Sequence, residues 1–251
     1  PAAEQAVEPF ERPEVSGDAT ALLQSSSGST GIPKIIPYSR NAERTYIEIH
    51  AKEYRLTRDD VVAHLDTFWL ESPLATLAIG AQVRCLHPKG EGIVEIIEGM
   101  NASKVTILPV CPSLFRMFSE VDRALPDLRL VMLSGEEIKK LEIEIFDSIT
   151  VPGSVLLNCY ASMEATCVTT YRYTKGDVIS SQALPAGHVL APLVVEICDG
   201  DGSVLPDGEI GEIVVVSDLL PTHYIGDPER SAQVFGTNEN CVRTFSSGDF
   251  G

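Results

Sequence analysis

Short apolar runs recur at a steady spacing through the first two thirds of the chain, and the stretches between them carry helix-like periodicity. Runs at 61–65 (VVAHL), 82–86 (QVRCL), 104–108 (KVTIL) and 128–133 (LRLVML) predict strands. The intervening patterns predict helices near 70–79, 93–100, 112–121 and 136–146. Ahead of them, Ser39 is placed to cap a helix running to about Leu56, with Tyr46, Ile47, Ile49 and Tyr54 as its apolar positions. Strand and helix in alternation predict an α/β fold: a largely parallel sheet covered by helices on both faces, with ligands gathered outside the carboxyl ends of the strands.

From about Val178 the texture changes. Strand-like runs (LVVEIC, EIVVVS, CVRTF) alternate with Asp/Gly turns such as DGDGS at 199–203 and PDGE at 206–209. The expected organisation is an extended, poorly ordered segment over 1–18, an α/β subdomain over 19–177, and a smaller β-rich subdomain over 178–251.

Composition narrows the function. The chain has 251 residues, 44% of them hydrophobic and 22% charged, ordinary values for a soluble globular protein. Its formal net charge of −17 argues against nucleic acid or an anionic membrane as partner. No stretch approaches a membrane span in length, and the polar, acidic N-terminus has no apolar core of a signal peptide. The six cysteines form no C-x-x-C pair, and several sit in apolar runs as buried free thiols do, which points to a reducing cytoplasm.

The most informative stretch is LLQSSSGSTGIPKII at 22–36. Two apolar runs bracket a turn of Ser, Gly and Thr. Glycine lets the backbone approach a ligand and present successive N–H groups, hydroxyls add donors, and Lys34 adds a mobile positive charge. This is a loop suited to phosphate. It is not a Walker A loop, because Lys34 stands three residues beyond Gly31 with Pro33 between them. The run Ser26, Ser27, Gly28, Ser29, Thr30, Gly31 through Lys34 resembles the [ST]-[ST]-G-[ST]-T-G-x-P-K signature of the adenylate-forming enzymes: acyl-CoA synthetases, peptide-synthetase adenylation domains and luciferases. The resemblance implies a loop that contacts the β- and γ-phosphates of ATP.

Further motifs follow in the family's order. VLLNCYASMEATC at 155–167 contains a strand, a turn and a carboxylate suited to Mg²⁺, which takes one or two carboxylates together with phosphate oxygens. It resembles the family's N-x-Y-G-x-T-E, which implies that Asn158 borders the adenine, Tyr160 stacks on it and Glu164 ligates Mg²⁺. Ala161 and Met163 stand where the family usually has Gly and Thr. LSGEEI at 133–138 resembles the segment whose backbone borders the adenine, including Gly135 and Glu136. RTFSSGDFG at 243–251 resembles [YF]-x-[ST]-G-D, which gives Asp249 the ribose hydroxyls. PDGEIGEIVVVS resembles a structural segment of the family, and HYIGDPERSAQVF resembles its G-Y-x-x-x-P-x-x-T-x-x-x-F, with His223 in place of Gly.

By the same resemblance the acid pocket falls near HLDTFW. Asp66 matches the aspartate that pairs an amino acid's α-ammonium, and His64 matches the histidine of acyl-CoA synthetases and luciferases; both alternatives stand. Ser113, Met132, Ser134, Cys159, Cys167 and Val168 would line the pocket and suit an uncharged side chain of medium size. The implied reaction is attack of a carboxylate on the α-phosphorus of Mg-ATP, giving an acyl adenylate for transfer to a carrier-protein thiol, or alternatively to CoA. Thr30 and Lys34 would hold the departing pyrophosphate. The family's enzymes extend on both sides of the matched region. The chain is therefore expected to be the middle piece of a larger enzyme, without the small C-terminal domain and its lysine, and to turn over poorly alone.

Overall fold

The computed structural model describes residues 13–26, 33–65, 71–88, 90, 92–179 and 181–251. The expected phosphate loop from Ser27 to Gly31, with Ser29 and Thr30, and the acid-pocket residue Asp66 lie outside the described residues.

Three sheets build the molecule. β1 (Thr20–Ser26) and β2 (Lys34–Ser39) form an antiparallel pair on either side of the loop. Ser39 caps α1 (Arg40–Glu53), its hydroxyl accepting the Ala42 N–H at 3.1 Å. There follow β3 (Val61–His64), α2 (Glu71–Ile79), β4 (Gln82–Cys85), α3 (Ile93–Ala102), β5 (Ile107–Val110), α4 (Pro112–Phe115) with a 3₁₀ turn to Glu120, β6 (Leu130–Ser134) and α5 (Lys140–Ile149). β7 (Val155–Ser162), β8 (Thr166–Thr174) and β9 (His188–Val189) complete a seven-stranded sheet in the order β4-β3-β5-β6-β7-β8-β9. Its first five strands are parallel and its last two antiparallel. A four-stranded antiparallel sheet follows, made of β10 (Val194–Cys198), β11 (Glu212–Val216), β12 (Phe235–Thr237) and β13 (Arg243–Phe250), with α6 (Pro228–Val234) between β11 and β12. β9 pairs with β8, so the long sheet reaches past position 178.

The buried faces explain the order of elements. One apolar cluster packs α3, α4 and α5 against the long sheet through Ile97, Met100, Phe115, Leu133 and Phe146. A second cluster, on the opposite face, joins β2 and α1 through Ile36, Tyr46 and Ile49 to Met132, Leu157 and Val168, and to Val215 and Phe245 of the four-stranded sheet. The long sheet is thus covered on both faces, which near-continuous apolar strands such as LVMLS require.

Of the boundaries that differ from the sequence reading, two have a visible reason. β5 begins at Ile107, because Lys104 takes φ +51° after α3 and the Thr106 hydroxyl is committed to Asp60 at 2.8 Å. α5 begins at Lys140, because Gly135 takes φ +90° and the chain stays open until the Glu142 carboxylate accepts the Lys139 N–H at 2.8 Å.

Among the described residues no helix is long and apolar enough to cross a membrane.

Candidate functional site

A cleft of about 450 Å³ opens where the carboxyl ends of β6 and β7 face the four-stranded sheet. Gly135, Glu136, Asn158, Tyr160 and Ala161 line one side, and Ile213, Asp249 and Phe250 the other. Leu184 and Ala186, from the loop before β9, close an end of it. Every sequence-predicted nucleotide residue beyond the phosphate-loop region, Glu164 excepted, therefore meets in one place.

Local geometry holds each of these groups. Gly135 leaves β6 with φ +90°, a conformation that costs a residue with a Cβ, and turns the chain across the cleft floor. The Glu136 carboxylate accepts the Ser113 N–H at 3.1 Å and an Arg116 N–H at 3.2 Å. The Ser113 hydrogen bonds, reinforced by Arg116 and opposed by burial, hold Glu136 below the usual carboxylate range. Asn158 is buried and donates to the Pro185 carbonyl at 2.8 Å, so it ties β7 to the loop before β9. The Tyr160 hydroxyl donates to Asp249 Oδ2 at 2.7 Å and so spans the two sheets. Burial, tempered by a Ser247 hydrogen bond and reinforced by Asp249, pushes the Tyr160 phenol up to about 12. It therefore remains a donor at neutral pH. A carboxylate has about four acceptor positions, so Asp249 keeps capacity for a ligand's hydroxyls.

Beside the cleft lies a second, buried group. Lys34 Nζ sits 2.8 Å from Glu164 Oε1, and the Tyr224 hydroxyl donates to the same oxygen at 2.8 Å. Lys34 Nζ is also 3.3 Å from the Tyr224 oxygen and 4.9 Å from the centre of its ring. Burial, with Glu164 as hydrogen-bond partner, drives the Tyr224 phenol far above its ordinary value, which keeps it a donor. Glu164 occupies the turn between β7 and β8 and is 5% exposed. The strand and turn expected there are completed as a hairpin, in which β8 pairs antiparallel with β7 across the Glu164 turn. Tyr224 was assigned no role from sequence; its place in HYIGDPERSAQVF was the one signal available. A single buried carboxylate, held by Lys34 and Tyr224, would suit a Mg²⁺ that takes its other ligands from phosphate oxygens, and no cluster of three metal-ligating side chains occurs among the described residues.

The expected acid-pocket residues divide. Met132, Cys159 and Cys167 line a narrow apolar crevice with Ile49, His50, Glu53, Tyr54, Thr170 and Leu190. Ser134 pairs with Cys159 across β6 and β7, Val168 is buried on the same face, and His64 ends β3. Ser113 instead belongs to the Glu136 network. The cysteines also depart from the expected free thiols: Cys159 and Cys167 form a disulfide. A register shift between Tyr160 and Ala161 sets Ala161 opposite Cys167 and brings the two Cα atoms to 6.2 Å. Cys85, Cys111, Cys198 and Cys241 remain free, and of these only Cys198 is buried.

The cleft gathers a Gly-Glu turn, a strand tyrosine and an aspartate from a second sheet, a lining of polar groups and one aromatic ring suited to a nucleotide. The family model described as AMP-binding enzyme matches residues 1–224, and the chain belongs to that family. It is 30% identical over 251 residues to malpibaldin synthetase of Mortierella alpina, covering 94% of this chain and 4% of that protein. It is 26% identical over 258 residues to a D-alanine–D-alanyl carrier protein ligase of Bacillus mycoides, covering 94% of this chain and 49% of the relative. The chain thus spans about half or less of these curated relatives. Among solved structures, the Vibrio cholerae adenylation domain AlmE in complex with glycyl-adenosine-5'-phosphate superposes with a TM-score of 0.80 at 22% identity, over 94% of this chain and 46% of that one. The N-terminal subdomain of Klebsiella oxytoca NpsA, in complex with 3-hydroxybenzoyl-AMSN, gives a TM-score of 0.80 at 19% identity, over 96% and 61%.

Proposed function

We propose that this chain carries the ATP and acid sites of a carboxylate-activating adenylation enzyme that forms an acyl adenylate and passes the acyl group to a carrier-protein thiol. The observation that carries the reading is the cleft, in which Gly135, Glu136, Asn158, Tyr160 and Asp249 converge from two sheets. Relatives described as a carrier protein ligase and a synthetase support a carrier as acceptor over CoA.

In this reading the adenine lies between the Gly135–Glu136 turn and Tyr160, with Asn158 at its edge, and Asp249 accepts from the ribose. Ser26, Ser27, Gly28, Ser29, Thr30 and Gly31 face the β- and γ-phosphates. Lys34, on a flexible stem, exchanges Glu164 for a phosphate oxygen. Glu164, steadied by Tyr224, would hold a Mg²⁺, which would supply charge neutralisation at the phosphates. The acid's carboxylate attacks the α-phosphorus and pyrophosphate departs; the protein contributes position and charge rather than covalent chemistry. The acid's side chain enters beside Met132, Ser134, Cys159, Cys167 and Val168, with His64 or Asp66 near its head. The missing partner of the site is a further domain of a longer enzyme. The reaction is cytoplasmic.

The test is acid-dependent ATP–pyrophosphate exchange across amino, aryl and fatty acids, with binding of acyl-sulfamoyladenosines measured in parallel. Exchange or binding confined to one acid class, and lost in Asp249→Ala, supports the proposal. A chain that neither exchanges nor binds any analogue overturns it.

A further inference from the structure

One polar atom in the apolar crevice has no partner. His50 is 3% exposed, on the inner face of α1, and lines the crevice beside Met132, Cys159 and Cys167. Its Nδ1 lies 2.9 Å from the Tyr46 carbonyl one turn earlier. Its Nε2 is buried and makes no hydrogen bond among the described residues. A carbonyl only accepts, so Nδ1 must carry the hydrogen, and a neutral ring then presents Nε2 as an acceptor. A buried acceptor without a partner costs free energy that a bound donor would recover.

Two further observations point the same way. Glu53, one turn after His50 on α1, also lines the crevice; its carboxylate accepts the Thr170 hydroxyl at 3.0 Å. Both polar groups from this helix therefore accept hydrogen bonds. The crevice also adjoins the nucleotide cleft, because Cys159 lines both. Its free space suffices for a group about the size of one water molecule, such as the tip of a side chain.

We infer that His50 is a specificity-determining residue: its Nε2 accepts a hydrogen bond from a hydroxyl or amino group at the far end of the acid that the site activates. The inference rests on the adenylation reading above and adds a required feature to the substrate. An acid ending in a methyl or bare ring leaves Nε2 unpaired and is disfavoured, whereas a purely apolar pocket would prefer it.

The experiment compares matched acyl-sulfamoyladenosines that differ only in the terminal donor: seryl with alanyl, tyrosyl with phenylalanyl, lysyl with norleucyl, and 4-hydroxybenzoyl with benzoyl. Affinities are measured by calorimetry on the unmodified chain, on His50→Phe and on His50→Gln, with unacylated sulfamoyladenosine as control. The expected result is a preference of tenfold or more for the donor-bearing member of the best-binding pair. That preference should fall below about threefold in His50→Phe and be partly restored in His50→Gln, whose side-chain oxygen also accepts. Control binding should be equal in all three proteins. Equal affinities within every pair on the unmodified chain, or a preference that survives in His50→Phe, overturn the role of His50 alone. Failure of every analogue and of the control overturns the adenylation reading as well. The comparison on the unmodified chain decides the matter even if a variant does not fold.

Discussion

Glu164 Oε1 receives both a lysine and a phenol, so the consequences of removing each donor differ. Tyr224→Phe removes a neutral hydrogen bond to a carboxylate that is still paired, and is expected to cost about 1–2 kcal/mol in denaturant unfolding. Lys34→Met leaves Glu164 buried with the phenol alone and, on the proposed reading, removes the cation at the pyrophosphate; the exchange rate should fall about 10²–10³-fold, measured at saturating acid. At the crevice, thiol counting on the unfolded, unreduced chain should find only the thiols of Cys85, Cys111, Cys198 and Cys241, and prior reduction should add Cys159 and Cys167. Six titrating thiols without reduction would contradict the bridge. The cleft residues were legible in the sequence through the segments that resemble the adenylate-forming enzymes, each carrying one of them: a turn glycine, a strand asparagine and tyrosine, and an aspartate after Ser-Gly. Tyr224 and His50 were not, because their roles depend on contacts that no local pattern records. Tyr224 meets Glu164 across sixty positions, and His50 shows its significance only through an empty hydrogen-bonding valence. The cysteine pair was hidden by a one-residue shift in register.

Among the elements, the parallel strands are pinned at the edge away from the cleft. Asp60, just before β3, accepts both nitrogens of Arg129 at 2.8 Å, the Thr106 hydroxyl at 2.8 Å and the Thr57 N–H at 2.8 Å. Burial raises its pKa, but the hydrogen bond from Arg129, with those from Thr106 and Thr57, outweighs it and brings the carboxyl down to about 2. A depressed carboxyl stabilises the fold above its unfolded value and loses that contribution as pH falls through the folded one. The chain should therefore lose on the order of 1–2 kcal/mol between about pH 4 and pH 2, discounted for the partly exposed Arg129. Asp60→Asn should flatten that part of a stability-against-pH curve. The strands and helices of the α/β layer were readable because period and apolar runs are local properties. The ends of β5 and α5 were not, since Thr106 is drawn off by Asp60 and Gly135 delays the helix. The β7–β8 hairpin was read only as strand and turn, because antiparallel pairing at the sheet edge is settled by what lies across from it.

Taken whole, the molecule is an acidic body whose cleft is to receive an anion. With a net charge of −17, the long-range field opposes ATP, and only local groups such as Lys34 hold it. Raising ionic strength from about 10 to 150 mM should therefore strengthen ATP binding or leave it unchanged, as read by calorimetry. A marked weakening would show that attraction by the overall field dominates. A ligand that bridges both sheets should also raise thermal stability: at a hundred times its dissociation constant, an acyl-sulfamoyladenosine contributes about 2.7 kcal/mol, or roughly 5–10 °C in Tm.

The buried trio of Lys34, Glu164 and Tyr224 joins positions separated by 130 and 60 residues along the chain. During synthesis, at about 5–20 residues per second, the loop, the lysine and the first parallel strands are made well before their partners. The electrostatic heart of the site cannot close until Tyr224 has left the ribosome, and Asp249 follows later still. On the proposed reading, a nascent chain should therefore bind nucleotide only once this whole segment has emerged.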